Sequence, residues 1–107
     1  MRNWRPNTRI TLQYSTRVSD GGGGYQTTWN DDATVPSEKA THRSNEAVQA
    51  MATTGFAVHN HRIRYRRNIR SSWRIKEGNS YQNIIGPPVL VEGKKRFLDI
   101  TAKEATA

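Results

Sequence analysis

Apolar and polar residues alternate from Arg9 to Val18. Ile10, Leu12, Tyr14 and Val18 fall on one side, and Arg9, Thr11, Gln13, Ser15 and Arg17 on the other. A period of two is the signature of a half-buried strand. Asp20-Gly21-Gly22-Gly23-Gly24 interrupts the pattern, and Tyr25-Gln26-Thr27-Thr28-Trp29 resumes it with β-favouring side chains. The segment therefore predicts a hairpin with a flexible glycine tip. Its second strand is expected to run on through Ala33 and Val35 and to stop near Pro36, which has no N–H to give to a ladder.

Ser37 to Gly55 changes character. Ser44 or Asn45 can cap a helix, Glu46 suits its first turn, and Ala47 to Ala52 tolerates helix before Thr53-Thr54-Gly55 ends it. This predicts one short helix inside a long connection. Its apolar residues form no stripe, so it is expected to pack loosely on its own domain.

Strand alternation returns between Phe56 and Lys76. Ile63 and Tyr65 share a face opposite Arg62, Arg64 and Arg66, and beyond a turn at Asn68 to Ser72, Trp73 and Ile75 alternate with Arg74 and Lys76. Glu77-Gly78-Asn79-Ser80 reads as a hairpin turn into a strand from Tyr81 to Ile85. Gly86-Pro87-Pro88 breaks that strand, and a loop through Glu92 to Lys95 leads to a last strand, Arg96 to Ala102, with Leu98 and Ile100 inward. Glu104 to Ala107 reads as a frayed tail. Six short strands, with one short helix in the long loop between the second and third, predict a mainly β fold. The expected architecture is a small antiparallel β-barrel forming a single domain over residues 1–107, since closure removes exposed strand edges.

Composition makes that barrel thin. Of 107 residues, Leu, Ile, Val and Phe supply only 18, below the ~20% at which high net charge begins to favour disorder. Clean alternation argues against disorder, so the chain is expected to complete its core against neighbours. No apolar run is long enough to span a membrane, the N-terminus lacks the apolar stretch of a signal peptide, and there is no cysteine for a disulfide or thiolate metal site.

Charge adds the one strong chemical signal. Lys and Arg number 17 against 9 Asp and Glu, for a net charge of +8. No acidic residue stands between Ala47 and Lys76, where Arg62, Arg64, Arg66, Arg67, Arg70 and Arg74 cluster. Arginine outnumbers lysine 12 to 5, which favours bidentate contact with phosphate or carboxylate. These six arginines are the candidate interface or DNA-facing residues. Tyr65, Trp73 and Tyr81 stand among them, but parity places Tyr65 with Ile63 and Trp73 with Ile75, in the core.

Other chemistry finds little support. His59 and His61 share a strand face, with His42 as a third imidazole, but no Asp, Glu or Cys lies near them in sequence, so no metal is assigned. His61 reads as a part-buried strand residue. Gly21 to Gly24 precede a strand and not a helix, unlike phosphate-binding loops. Asp31 and Asp32 are expected to pair with arginine or line a turn. No nucleophile elbow or other catalytic spacing occurs, so the expectation is no enzyme and no cofactor.

Read in order, several segments resemble the head-tail joining proteins of tailed bacteriophages, the stopper or head-completion proteins of the virion neck. They are Arg9-Ile10-Thr11-Leu12-Gln13, the glycine run, Thr28-Trp29, Ala33-Thr34-Val35, Glu46 to Ala50, Ile63-Arg64-Tyr65-Arg66, Trp73-Arg74-Ile75, Tyr81 and Arg96-Phe97-Leu98. The resemblance implies a virion protein made in the bacterial host cytoplasm. It implies a homo-oligomeric ring, sixfold or twelvefold, with portal or adaptor above and tail terminator or tail tube proteins below. Double-stranded genomic DNA would pass along its axis. The segment from about Pro36 to Phe56 would face that channel, with Ser44, Asn45, Glu46, Gln49, Thr53 and Thr54 as candidate channel residues. The alternative reading is a monomeric OB-like nucleic-acid-binding barrel that uses Arg62 to Arg74.

Overall fold

The alternating segments do form a hairpin. In the computed structural model, which describes residues 3–42 and 57–104, β1 (Thr8–Ser19) pairs antiparallel with β2 (Tyr25–His42). The register slips between Leu12 and Gln13: Leu12 opposes Ala33 and Gln13 opposes Asp31, leaving Asp32 as the extra residue of a bulge. A bulge re-aims the residue it displaces and increases the local twist.

The expected stop at Pro36 is not observed. β2 continues to His42, and Ser37 to His42, expected in the long connection, are strand. Between Tyr25 and Ser37 this strand is paired only to β1, and an edge strand is where a sheet tolerates proline. The expected helix falls on residues outside those described. Among the described residues the only helical element is a 3-10 turn, Val91–Gly93, and no helix is long and apolar enough to cross a membrane.

The remaining strands are β3 (Val58–Arg64), β4 (Arg74–Glu77), β5 (Ser80–Ile84), β6 (Val89–Leu90) and β7 (Phe97–Glu104). All pairings are antiparallel, giving a seven-stranded sheet where six strands were expected. The addition is β6, two residues long and below any periodicity test. Glu104, expected in a frayed tail, ends β7: it opposes Gln82, and its N–H donates to the Ala57 carbonyl.

The ladder is circular. It runs β3-β2-β1-β4-β5-β7, and β7 pairs again with β3 from Val58↔Lys103 to Arg64↔Phe97. Inside that circuit Ile10, Leu12, Ile63, Ile75, Ile84, Leu98, Ile100 and Ala102 form the buried cluster, with Val35, Tyr65, Ile69, Trp73 and Leu90 packed against it. Tyr65 and Trp73 thus lie where parity placed them.

Val18 does not join them and is 52% exposed. β1 touches β4 only at Thr11 to Gln13, and β2 touches β3 only from Glu38. Beyond Gln13 the hairpin is therefore a two-stranded ribbon that has left the circuit, and an inward parity there has no core to point into. At its tip the Asp20 carboxylate accepts from the Gly22 and Gly24 N–H groups, while Gly21 and Gly23 adopt φ of 82° and 86°. That left-handed backbone is the region glycine occupies without cost.

Candidate interaction surface

Register decides what the strand arginines meet. Arg62 lies opposite Asp99 on β7. Its Nε and Nη2 donate to the two carboxylate oxygens at 2.8 and 2.9 Å, a bidentate pair that raises the guanidinium pKa further. Arg64 opposes Phe97 and lies over both the Trp4 ring (5.0 Å) and the Phe97 ring (6.0 Å). Trp4 is held there by its indole N–H, which donates to the Arg62 carbonyl.

Arg74 is enclosed more completely. Its guanidinium stands 4.3 Å from the Trp29 ring centroid and 4.1 Å from that of Tyr81, and Nε donates to Gln13 Oε1 at 2.7 Å. The Gln13 amide in turn donates to Asp31. Arg66 reaches Asp32, the bulge residue, through one contact of 3.3 Å from Nη2. Arg67 and Arg70 are exposed and form no ion pair among the described residues.

The six arginines therefore do not act as one face. Four have intramolecular partners, and four carboxylates are engaged within the chain as well. Asp99 holds Arg62, Asp32 holds Arg66, Asp31 holds Gln13, and Glu77 holds Lys39 and Gln82. Sequence reading missed the Trp29 and Tyr81 rings on Arg74. Their shared side follows from the parity change at the bulge, and no residue pattern announces where a bulge will fall.

A second polar group occupies one end of the interior. The buried His61 ring is bonded on both sides, to Ser37 Oγ at 3.0 Å and Gln82 Oε1 at 2.7 Å. Because the Gln82 amide N–H donates to Glu77, its oxygen must accept, so His61 carries its proton on Nε2 and accepts from Ser37 at Nδ1. Burial lowers the His61 pKa. Burial pushes Glu77 up, but hydrogen bonds from Lys39 and Gln82 outweigh it and hold the carboxyl below its ordinary value. His59 bonds Thr41 through Nδ1 and Glu104 through Nε2. Both imidazoles thus spend both nitrogens on protein partners, and among the described residues no group of three or more metal-ligating side chains gathers.

Ser44, Asn45, Glu46, Gln49, Thr53 and Thr54 lie outside the described residues, as do positions 43–56 in general. The segment expected to face a channel from Pro36 begins inside β2 instead.

With this geometry in view, comparison with known proteins is informative. The model of the phage head completion protein family matches residues 1–105. The chain belongs to that family. Phage head completion proteins are structural components of virions and not enzymes. Among solved structures, a Shigella flexneri 2a protein determined in solution superposes with a TM-score of 0.71 and 26% identity, over 97% of this chain and 96% of its own. A chain from the virion of a native gene transfer agent particle superposes with a TM-score of 0.66 and 23% identity, covering 96% of this chain and 98% of its own. At that identity the second likeness is one of fold. No curated protein matches. The head completion role implies assembly with other head and tail proteins of the virion.

Proposed function

We propose that this head completion protein forms a ring in the virion neck, joining the head's portal or adaptor to the tail and helping to retain and pass genomic DNA. The observation that carries the reading is the family match over residues 1–105. The circular ladder supports a small barrel as the ring's repeating unit, and residues 1–107 would form its single domain. Closed rotational rings need a heterologous interface, with one face of each copy fitting a different face of the next. The ribbon beyond Gln13 offers such a face, since it carries exposed Val18 and Tyr25 outside any core. Residues 44–54 would face the channel, with Ser44, Asn45, Glu46, Gln49, Thr53 and Thr54 toward DNA. The monomeric nucleic-acid barrel is the weaker reading, because Arg62 and Arg74, the ends of its footprint, are committed to Asp99 and to the Trp29–Tyr81 pair.

Cryo-electron microscopy of particles containing the chain tests this directly. A ring of small β subunits on the head-tail axis is the expected result and would give the copy number. A chain that stays monomeric beside portal and adaptor rings, yet binds oligonucleotide at physiological salt, would overturn it.

A further inference from the structure

Two adjoining recesses flank the turn after β3. One, of about 600 Å³, is lined by Tyr14, Tyr65, Trp73, Arg66, Arg67 and Asp32. The other, of about 510 Å³, shares Tyr65, Arg66 and Arg67 and adds an apolar shelf of Ile69, Pro87, Pro88 and Leu90. Asn68, at φ 67°, belongs to both and turns the chain between them.

Arg66 is incompletely bonded in this setting. Its one contact is the 3.3 Å approach of Nη2 to Asp32, and its Nε is buried with no hydrogen-bond partner. Arg62 shows what completion looks like in the same chain, with Nε and Nη2 both on one carboxylate below 3 Å. A buried donor left unpaired is costly, so a ligand that satisfies it recovers that cost.

We propose that these recesses form a docking site for an acidic protein segment, whose carboxylate closes bidentately on Arg66 while an adjacent apolar side chain rests on the Ile69–Leu90 shelf. Charge complementarity selects the sign: Arg67, which lines both recesses with Arg66, is exposed, in a chain of net charge +8. Asp32 shows that a carboxylate already approaches Arg66. The rings select protein over nucleic acid. Tyr14 and Trp73 are packed on each other at 5.7 Å, and Tyr65 is packed on the core, so none is presented as a free stacking platform for bases. A phosphate backbone would also leave the Ile69–Leu90 shelf uncovered. The site does not depend on the neck reading, because it requires only a partner that presents such a segment.

Nuclear magnetic resonance titration of the full chain tests it, using a capped hexapeptide of alternating glutamate and leucine and, separately, a short DNA duplex at physiological salt. The peptide should shift the amides of Tyr14, Asp32, Tyr65 to Ile69 and Trp73. Arg66→Gln should weaken it about tenfold, the scale of one charge-assisted hydrogen bond, and Arg67→Gln should weaken it in the same direction. Asp32→Asn, which removes the competing carboxylate, should tighten it severalfold. Lys94→Gln with Lys95→Gln, which line neither recess, should leave it within twofold. The proposal is overturned by no shift up to millimolar peptide, by shifts elsewhere, or by equal weakening in the lysine variant. It is likewise overturned if Asp32→Asn brings no gain, or if the duplex alone occupies these residues.

Discussion

The circuit and the ribbon share β1 and β2, yet these strands are held differently in each. Up to Gln13, β1 lies between β2 and β4 and turns Ile10 and Leu12 into a cluster sealed by the β3–β7 pairing. Beyond Gln13 the same strand has one neighbour and no interior. Its stability there rests on ladder bonds, on Tyr14 against Trp73 and Trp29 against Arg74 where it leaves the circuit, on Arg17 over Tyr25 at 5.6 Å, and on the Asp20 cap of the glycine tip. Isolated two-stranded ribbons are marginal in water. The contrast teaches that burial, not alternation, makes a strand structural, and that the ribbon is the part with surface left to give.

The sharpest break of this contrast is a cavity in the circuit. Ile100→Ala should cost about 2–5 kcal/mol, read as a fall in urea midpoint or melting temperature of the isolated chain. Next is Ser37→Ala, which strips the buried His61 Nδ1 of its partner and should cost about 1–3 kcal/mol. The pH profile reports on the same site. The folded chain keeps His61 neutral, whereas an unfolded imidazole takes a proton near pH 6.5. Stability is thus fully present above about pH 6.5 and declines as pH falls toward the lower folded value, by at most about 1.4 kcal/mol per pH unit. His61→Gln should flatten that slope, and an unchanged slope would remove His61 as its source. Glu77, held low when folded, adds a separate loss only below the ordinary carboxyl range.

Effects in the ribbon should be smaller. Gly23→Ala forces a side chain onto φ 86° and should cost about 1 kcal/mol. A neutral result would show that the tip rearranges freely. Val18→Ser should change the isolated chain's stability by less than about 0.5 kcal/mol. A large loss would mean that the ribbon has a core of its own.

Much of the circuit was legible because its residues obey one parity. Ile10, Leu12, Ile63, Ile75, Leu98 and Ile100 alternate with polar neighbours and are buried, and Glu77 to Ser80 close a hairpin around Gly78 at φ 58°. What escaped the sequence depends on pairing between distant segments. Val18 has the correct parity but no opposing sheet. Pro36 looked like a terminator because it lacks an N–H, yet there β2 pairs on one side only, with β1. The histidines seemed to lack carboxylates, yet pairing brings Glu104 to His59, and Glu77 to His61 through Gln82. Arg62 to Arg74 read as one basic footprint, whereas cross-strand register sets Arg62, Arg64 and Arg74 against different neighbours. For Arg66, the decisive neighbour is a bulge residue that no spacing marks.

The circularity of the ladder also bears on how the subunit is made. β7 joins β3 along one edge and β5 and β6 along the other. Until a ribosome has released residues 97–104, β3 has only β2 and β5 has only β4 as a ladder partner. No earlier segment pairs in its place. A chain that ends before β7 therefore has an open sheet and not a closed circuit.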